Sequence, residues 1–241
     1  MQIEIFDTYE QLSHRAAGMV ADLIRRKPAA VLGLPTGSTP EGFYAVLRRS
    51  DVSLGQVRTF NLDEYVGLSR AHPESYYAFM RQHLFDHVDL QPAHIHIPDG
   101  FAPDLEAECR RYEADIRQAG GLDLVLLGLG LNGHIGFNEP GTPWDTRTRP
   151  VMLAEKTRAA NSRFFDTMDE VPREALTMGI GTILEARQIL LLAAGETKAD
   201  MVRRALEGEP SVAVPASALQ RHENVTVLLD LAAARLLRTC A

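Results

Sequence analysis

Short apolar runs alternate along this chain with longer stretches in which apolar residues recur at a helical period. This alternation is typical of βαβ units around a mostly parallel sheet. Strands of such a sheet are apolar throughout, because helices cover both of its faces. We therefore predict an α/β fold of three layers, with an open sheet between two layers of helices. The predicted strands are residues 3–6, 30–34, 57–61, 122–128, 188–194 and 224–230.

The segments between these strands predict the helices of a single, Rossmann-like domain. Residues 13–26 carry an apolar stripe of period 3.6, and Thr39-Pro40 is typical of a helix start, with Thr39 as the N-cap. Residues 104–119 and 197–207 indicate two more helices. Residues 129–150 are rich in glycine and proline and predict an irregular, functional loop. No linker divides residues 1–241 into two domains.

Composition excludes several classes of partner and compartment. Lys and Arg number 25 against 32 Asp and Glu, a formal charge of −7, which argues against nucleic acid. The two cysteines, Cys109 and Cys240, supply neither a disulfide framework nor a four-cysteine zinc site. No apolar run approaches the ~18 residues of a membrane span, and the N-terminus lacks a signal-peptide pattern. We expect a cytoplasmic protein that does not enter membranes.

The first candidate site is the loop of Thr36, Gly37, Ser38 and Thr39, between a predicted strand and a predicted helix. Backbone N–H groups and hydroxyls at such a helix start favour a bound phosphate. The loop is not a nucleotide P-loop, because the Gly-Lys-Ser/Thr ending is missing. An ordinary strand-to-helix turn explains the same residues equally well.

The second candidate site is the pair Asp63 and Glu64, directly after the strand at 57–61. Open α/β sheets bind ligands at the carboxyl ends of their strands. One carboxylate there could act as a general base on a carbon acid, while its neighbour points the other way. The alternative for both residues is a solvated turn.

The third candidate site lies in residues 128–141, which contain a literal G-x-G-x-x-G. We reject dinucleotide binding, because Gly136 and Pro140 follow too closely for the required helix. What remains is His134 with two possible orienting partners, Asn132 and Glu139, an arrangement suited to relaying protons.

Cationic side chains for a phosphate are available at Arg158, Arg163 and Lys198. Arginines on a helix surface are more often merely solvated, so this assignment depends on the other motifs. No metal site is predicted, because two histidine pairs lack further ligands at suitable spacing. We interpret both pairs as structural: His94 with His96, and His83 with His87.

Four motifs together resemble those of the glucosamine-6-phosphate deaminase (isomerising) family. They occur in order along essentially the whole chain: Leu-Gly-Leu-Pro-Thr-Gly-Ser-Thr-Pro at 32–40, Phe-Asn-Leu-Asp-Glu-Tyr-Val-Gly at 60–67, Gly-His-Ile-Gly-Phe-Asn-Glu-Pro-Gly at 133–141 and Ala-Asn-Ser-Arg-Phe-Phe at 160–165. The resemblance implies conversion of glucosamine 6-phosphate and water to fructose 6-phosphate and ammonium, without metal or organic cofactor.

The resemblance also implies residue roles. His134 would open the sugar ring while Glu139 and Asn132 hold it, and Asp63 would move the proton from C2 to C1. Residues 152–176 resemble a mobile lid, which we call the lid segment. The substrate phosphate would bind Thr36, Gly37, Ser38, Thr39, Arg163 and Lys198.

Two departures from the family pattern matter. Many members carry aspartate where this chain has Asn132, so we expect Glu139 to supply most of the charge that supports His134. Allosterically activated members carry an Arg-x-Lys pair, whereas Arg149 here is followed by Pro150 and Val151. Activation by N-acetylglucosamine 6-phosphate, and the hexamer associated with it, are therefore not expected, and the oligomeric state stays open.

Two alternatives stay open at this point. The 6-phosphogluconolactonase family shares the fold and a phosphate loop, but it resembles Asp-Glu-Arg where this chain has Asp63-Glu64-Tyr65, and it lacks the motif that holds Glu139. Non-catalytic sugar-phosphate sensors share the fold too. They carry an N-terminal DNA-binding module, for which strand-like residues beginning at Ile3 leave no space.

Overall fold

The computed structural model describes residues 1–162, 165 and 167–238 as ten strands and eight α-helices. The strands are β1 (Gln2–Phe6), β2 (Val31–Leu34), β3 (Arg58–Asn61), β4 (Asp63–Tyr65), β5 (Ile95–His96), β6 (Leu124–Gly128), β7 (Arg149–Met152), β8 (Glu174–Thr177), β9 (Ile189–Ala193) and β10 (Val225–Asp230). The helices are α1 (Tyr9–Arg26), α2 (Glu41–Leu47), α3 (Tyr76–His83), α4 (Leu105–Gln118), α5 (Glu155–Asn161), α6 (Ile180–Leu184), α7 (Ala199–Glu207) and α8 (Leu231–Ala234).

Seven strands form one sheet in the order β1-β10-β9-β6-β2-β3-β5, and each is parallel to its neighbours. Side chains of β6 show why the strands are apolar throughout. Leu124 and Leu126 pack into the hydrophobic cluster that contains α1, while Val125 and Leu127 pack into the cluster on the opposite face. The predicted three-layer domain and its six strands are thus confirmed.

The helix starts differ from the predictions in detail. Helix α1 begins at Tyr9, four residues earlier than predicted, because the Thr8 hydroxyl accepts a hydrogen bond from the N–H of Gln11 at 3.3 Å. The predicted N-cap at Thr39 is wrong, since α2 begins at Glu41 with Pro40 at the cap and no side-chain cap. No helix within the described ranges is long and apolar enough to cross a membrane.

A second, antiparallel sheet of order β4-β8-β7 was not predicted. Its strands are short, and β4 consists of Asp63, Glu64 and Tyr65, whose charges indicate a turn rather than a strand. The chain passes directly from β3 in the large sheet to β4 in the small one. This arrangement buries the acidic pair, so the solvated-turn alternative is wrong.

The strand order places a topological switch point between β2 and β6. From β2 the chain continues outward through β3 and β5, then returns to β6 on the other side and continues through β9 to β10. The loops after β2 and β6 therefore diverge and leave a crevice at the carboxyl edge, where open α/β sheets bind ligands.

Candidate active site

A cleft of about 780 Å³ opens at this switch point. It brings together most of the residues that the sequence singled out. Glu139 lies behind His134, and Arg163 lies outside the described residues. The cleft is lined by Thr36, Gly37, Ser38, Thr39, Asp63, Tyr76, Asn132, His134, Thr157 and Lys198, among others.

Asp63 lies at the start of β4, where its backbone pairs with Thr177 of β8. Its side chain faces the cleft but is only 7% exposed. Burial and, second, the neighbouring charge of Glu64 raise the pKa of Asp63 to about 8, and no hydrogen bond from the described residues offsets these two effects. A carboxyl group with this pKa can accept and return a proton near neutral pH.

Glu64 points away from Asp63, as the alternation of strand side chains requires. Its carboxylate accepts hydrogen bonds from the N–H groups of Tyr76 and Tyr77 at 3.0 Å each, and from that of Tyr65 at 2.9 Å. Two of these donors belong to the first turn of α3, where N–H groups lack helical partners. Glu64 therefore anchors α3, and Asp63 is the carboxylate available to a ligand.

The loop after β6 carries His134 and Glu139 together. The imidazole Nδ1 of His134 lies 3.5 Å from Oε1 of Glu139. Burial by itself raises the pKa of Glu139, but polar contacts from His134, Thr157 and Asn132 outweigh it and lower that pKa to about 2. Glu139 is therefore an anion at neutral pH, and it lies beside the imidazole.

Asn132 acts on this pair differently from what the sequence suggested. Its amide Nδ2 donates to Oε2 of Glu139 at 2.5 Å, and its Oδ1 accepts from the backbone N–H of His134 at 3.3 Å. The amide thus holds Glu139 and the backbone of the loop, and it makes no hydrogen bond to the imidazole ring among the described residues. An aspartate at this position would face Glu139 with a second carboxylate, so the amide suits an ionised Glu139.

The second glycine of the G-x-G-x-x-G pattern, Gly130, is required by the position of His134 and not by a dinucleotide. A Cβ atom built on Gly130 would lie 2.4 Å from the imidazole Nε2 of His134. Any larger residue would displace the ring. Farther along the loop, a Cβ on Gly136 would lie 3.5 Å from Oδ2 of Asp63, which shows that the loop also reaches the buried carboxylate.

Two tyrosine hydroxyls fix the candidate phosphate loop, residues 36–39. Tyr44 donates to the carbonyl of Pro35 at 2.6 Å, and Tyr9 donates to the carbonyl of Thr39 at 2.7 Å. Gly37 has a φ of +96°, which favours glycine. Within the described ranges, none of the four loop N–H groups donates to another residue. All four loop residues line the cleft, and α2 begins only at Glu41, two residues after the loop.

The two described cationic candidates differ in position. Lys198 lines the cleft at the end of a 3₁₀ turn, and its Nζ donates to the carbonyl of Leu129 at 2.6 Å. Arg158 is directed away from the cleft, since its guanidinium donates to the carbonyls of Met168 and Val171. Arg158 therefore folds the lid segment on itself.

The loop after β6, residues 129–141, carries His134 and Glu139, and we call it the catalytic loop. The sequence analysis missed two polar residues that form hydrogen bonds in or to this loop. Thr157 of α5 donates its hydroxyl to Oε1 of Glu139 at 2.6 Å. Asn138, which is fully buried, donates to the carbonyls of Ile135 and Met178 and accepts from Arg149 at 2.9 Å. Apart from the bond between Asn138 and Ile135, these contacts join residues at least 11 positions apart, so no local pattern indicates them, although Asn138 stands inside the quoted motif.

Two of the four paired histidines stack on aromatic rings away from the cleft. His96 stacks on Phe60 with ring centroids 4.3 Å apart, and His83 stacks on Phe79 at 4.2 Å. In the part of the chain that the structure describes, no group of three or more His, Cys, Asp or Glu residues is placed to hold a metal ion. These geometries support a packing role for both histidines.

The fold and the cleft together define an α/β protein with a ligand-sized cleft at the carboxyl edge of its sheet, and two carboxyl groups, an imidazole and a lysine lie in or beside that cleft. A family model described as glucosamine-6-phosphate isomerases/6-phosphogluconolactonase matches residues 6–228. The chain is 54% identical to a glucosamine-6-phosphate deaminase of Rhodopirellula baltica, covering 98% of this chain and 96% of that protein. It is 52% identical to glucosamine-6-phosphate deaminase 1 of Bacillus subtilis, covering 98% and 99%. The chain therefore belongs to the glucosamine-6-phosphate isomerase/6-phosphogluconolactonase family.

Solved structures match this chain at both high and low sequence identity. A structure of a monomeric glucosamine-6-phosphate deaminase matches with a TM-score of 0.96 at 52% identity, covering 98% of this chain and 100% of that one. A 6-phosphogluconolactonase from Trypanosoma cruzi matches with a TM-score of 0.81 at 21% identity, covering 98% and 97%. At that lower identity the second match shows a common fold alone.

Proposed function

We propose that this protein is a glucosamine-6-phosphate deaminase, which converts D-glucosamine 6-phosphate and water to D-fructose 6-phosphate and ammonium. The observation that carries the proposal is the opposite tuning of two carboxylates at one cleft. Asp63 has a pKa of about 8, and Glu139 has a pKa of about 2. The reaction needs one carboxylate that exchanges a proton with carbon and one that stays charged beside an imidazole.

Ring opening is the first step. His134 takes the proton of the anomeric hydroxyl and returns it to the ring oxygen, which leaves an aldehyde at C1. The imidazole is positively charged between these two transfers, and the Glu139 anion 3.5 Å from Nδ1 stabilises that charge. Asn132 holds the carboxylate in place at 2.5 Å.

Proton transfer between carbons follows. Asp63 removes the proton from C2 while the substrate's own ammonium group passes a proton to O1, which gives a neutral enolamine. Asp63 then returns its proton to C1, which gives an iminium ion at C2. One base serves both carbons, because they are adjacent. Water then adds to C2 and the C–N bond breaks, so that ammonium leaves and the ketone of fructose 6-phosphate remains.

The phosphate of the substrate binds loop 36–39, where unpaired N–H groups and the hydroxyls of Thr36, Ser38 and Thr39 face the cleft. Lys198 supplies positive charge from the opposite wall. Arg163 is proposed as a second cation from the motif alone.

We further propose that the lid segment, residues 152–176, closes over the bound sugar and that the reaction takes place in the cytoplasm. Ala175 and Leu176 of β8 pair with both β4 and β7, and Glu174 pairs with Met152 of β7. We therefore propose that the part that moves ends before Glu174.

Paired detection of ammonium and fructose 6-phosphate tests the proposal. Purified protein should release both in equal amounts from glucosamine 6-phosphate, with or without a chelator. Glucosamine without the phosphate is the matched control, and its turnover should be far lower if loop 36–39 binds phosphate. Absence of both products, together with hydrolysis of 6-phosphogluconolactone, would replace this proposal with the lactonase alternative.

A further inference from the structure

Among the described side chains of helix α5 in the lid segment, Thr157 makes a hydrogen bond to the loop after β6. This threonine is 8% exposed, and its hydroxyl donates to Oε1 of Glu139 at 2.6 Å. The same oxygen faces Nδ1 of His134 at 3.5 Å. A residue 18 positions away in sequence therefore contacts the anion that supports the imidazole.

Thr157 and Asn132 together hold both oxygens of the Glu139 carboxylate. Thr157 donates to Oε1 and Asn132 donates to Oε2 at 2.5 Å. A carboxylate with a donor at each oxygen cannot rotate without breaking one of these bonds. A half-buried carboxylate oxygen that loses its donor is left without compensation for the water it gave up, which is unfavourable. The plane of Glu139, and with it the position of Oε1 opposite His134, depends on both donors.

Two neighbours of Thr157 in the lid segment, Leu153 and Arg158, make contacts that do not involve Glu139. Leu153 is buried in a cluster with Tyr65, Phe137 and Ala175. Arg158 donates to the carbonyls of Met168 and Val171, inside the lid segment itself. In the described ranges, the Thr157 hydroxyl is thus the polar contact from α5 to Glu139. A displacement of α5 would remove this donor from Glu139.

We propose that Thr157 is a positioning residue for ring opening, which holds Glu139 against His134 when α5 is docked on the catalytic loop. This inference rests on the proposed deaminase function. It assigns to the lid segment a chemical role in addition to exclusion of water, because docking of α5 completes the hydrogen bonds of Glu139. The hydroxyl, and not the methyl group, is the part of Thr157 that matters.

Three threonine variants test the role. Thr157→Val removes the hydroxyl at nearly constant volume, Thr157→Ser keeps it, and Thr167→Val is a matched control at an exposed threonine of the same segment. We expect Thr157→Val to lower kcat about tenfold, the lower end of effects seen when partners that orient a functional imidazole are removed. The KM should change less than about twofold, since volume and charge are kept. Thr157→Ser and Thr167→Val should stay within about twofold of the parent in kcat.

A double-mutant cycle with Glu139→Gln separates positioning from general damage. If Thr157 acts through Glu139, Thr157→Val should have almost no further effect on kcat in the Glu139→Gln background. Equal kcat for Thr157→Val and Thr167→Val overturns the proposal. So does failure of Thr157→Ser to restore kcat, or an unchanged tenfold loss in the double variant. The absence of ammonium release by the parent protein would instead refute the deaminase function itself.

Discussion

The two walls of the cleft shift the pKa of a carboxyl group in opposite directions. Asp63, on the wall built by the small sheet, is 7% exposed and receives no hydrogen bond from the described residues, so burial raises its pKa to about 8. Glu139, on the wall built by the loop after β6, is also removed from water, but three polar neighbours lower its pKa to about 2. The difference shows that the polar contacts of Glu139 outweigh its burial, whereas Asp63 has no such contacts among the described residues.

This difference divides the chemistry between the walls. A base that must take a proton from carbon and return it benefits from a pKa near the working pH. An anion that supports an imidazolium must stay charged throughout, which a low pKa ensures. Exchanging the two environments would leave a weak base and a neutral partner for His134.

The largest effect is expected from Asp63→Asn, which removes the proposed carbon base. Turnover should fall by about 10³-fold, within the range for a general base. In deuterated water, exchange at C2 of glucosamine 6-phosphate, followed by NMR, should disappear. Binding of the substrate, measured by calorimetry, should remain because loop 36–39 is unchanged. Exchange at the parent rate would show that another group is the base.

A smaller effect is expected from His134→Gln, which removes the proposed ring-opening group and leaves Asp63 intact. Ammonium release from glucosamine 6-phosphate should fall about 10²-fold. Deuterium exchange at C1 of fructose 6-phosphate in the presence of ammonium should fall much less, since the open form of this ketose is present in solution. Equal losses in the two assays would mean that the walls do not divide the reaction in this way.

Gly130→Ala tests whether the position of the imidazole matters as well as its presence. The added Cβ would lie 2.4 Å from the ring and displace it, so kcat should fall about tenfold. Gly18→Ala is the matched control, because Gly18 lies in α1 with nothing within 4 Å of the added atom. The control should keep full activity and gain up to about 1 kcal/mol in the free energy of unfolding. Equal activity of the two variants would contradict a close fit at Gly130.

The smallest expected effects concern stability, and they have opposite signs on the two walls. Asp63 binds its proton more tightly in the folded chain, since its pKa rises from 3.8 to about 8, so its contribution to stability is lost as pH rises between these values. Asp63→Asn should therefore raise the free energy of unfolding at pH 9 by a few kcal/mol, in order of magnitude, and by less at pH 5.

For Glu139 the contribution is present above the ordinary pKa of 4.5 and is lost as pH falls toward about 2. Glu139→Gln should lower the thermal midpoint at neutral pH and have less effect near pH 3. Thermal unfolding of the parent and both variants across this pH range measures both effects. A shift of the same sign for the two variants at pH 9 would contradict the opposite tuning.

Sequence patterns predicted the large sheet well because its strands are buried on both faces and therefore apolar throughout. The small sheet was missed, since strands of three and four residues that include Asp63 and Glu64 carry no such pattern. This omission had a chemical consequence: the burial that raises the pKa of Asp63 comes from a sheet that the sequence does not indicate.

In the catalytic loop, too, the sequence predicted some contacts and missed others. The quoted motif named His134 and Glu139 correctly as neighbours, because they are five residues apart in one loop. The contact of Thr157 with Glu139 depends on how α5 packs on that loop, and a single sequence carries no signal for it. The role of Gly130 likewise becomes visible only once the imidazole has a position.

A carbon-13 NMR titration of the side-chain carboxyl groups measures the opposite tuning directly. Spectra of the parent protein, with Asp63→Asn and Glu139→Gln used to assign the two signals, would give both pKa values in solution. We predict that the Asp63 signal titrates near pH 8 and that the Glu139 signal stays that of an anion down to about pH 3. Titration of Asp63 near pH 4, together with Glu139, would contradict the division of labour between the two walls.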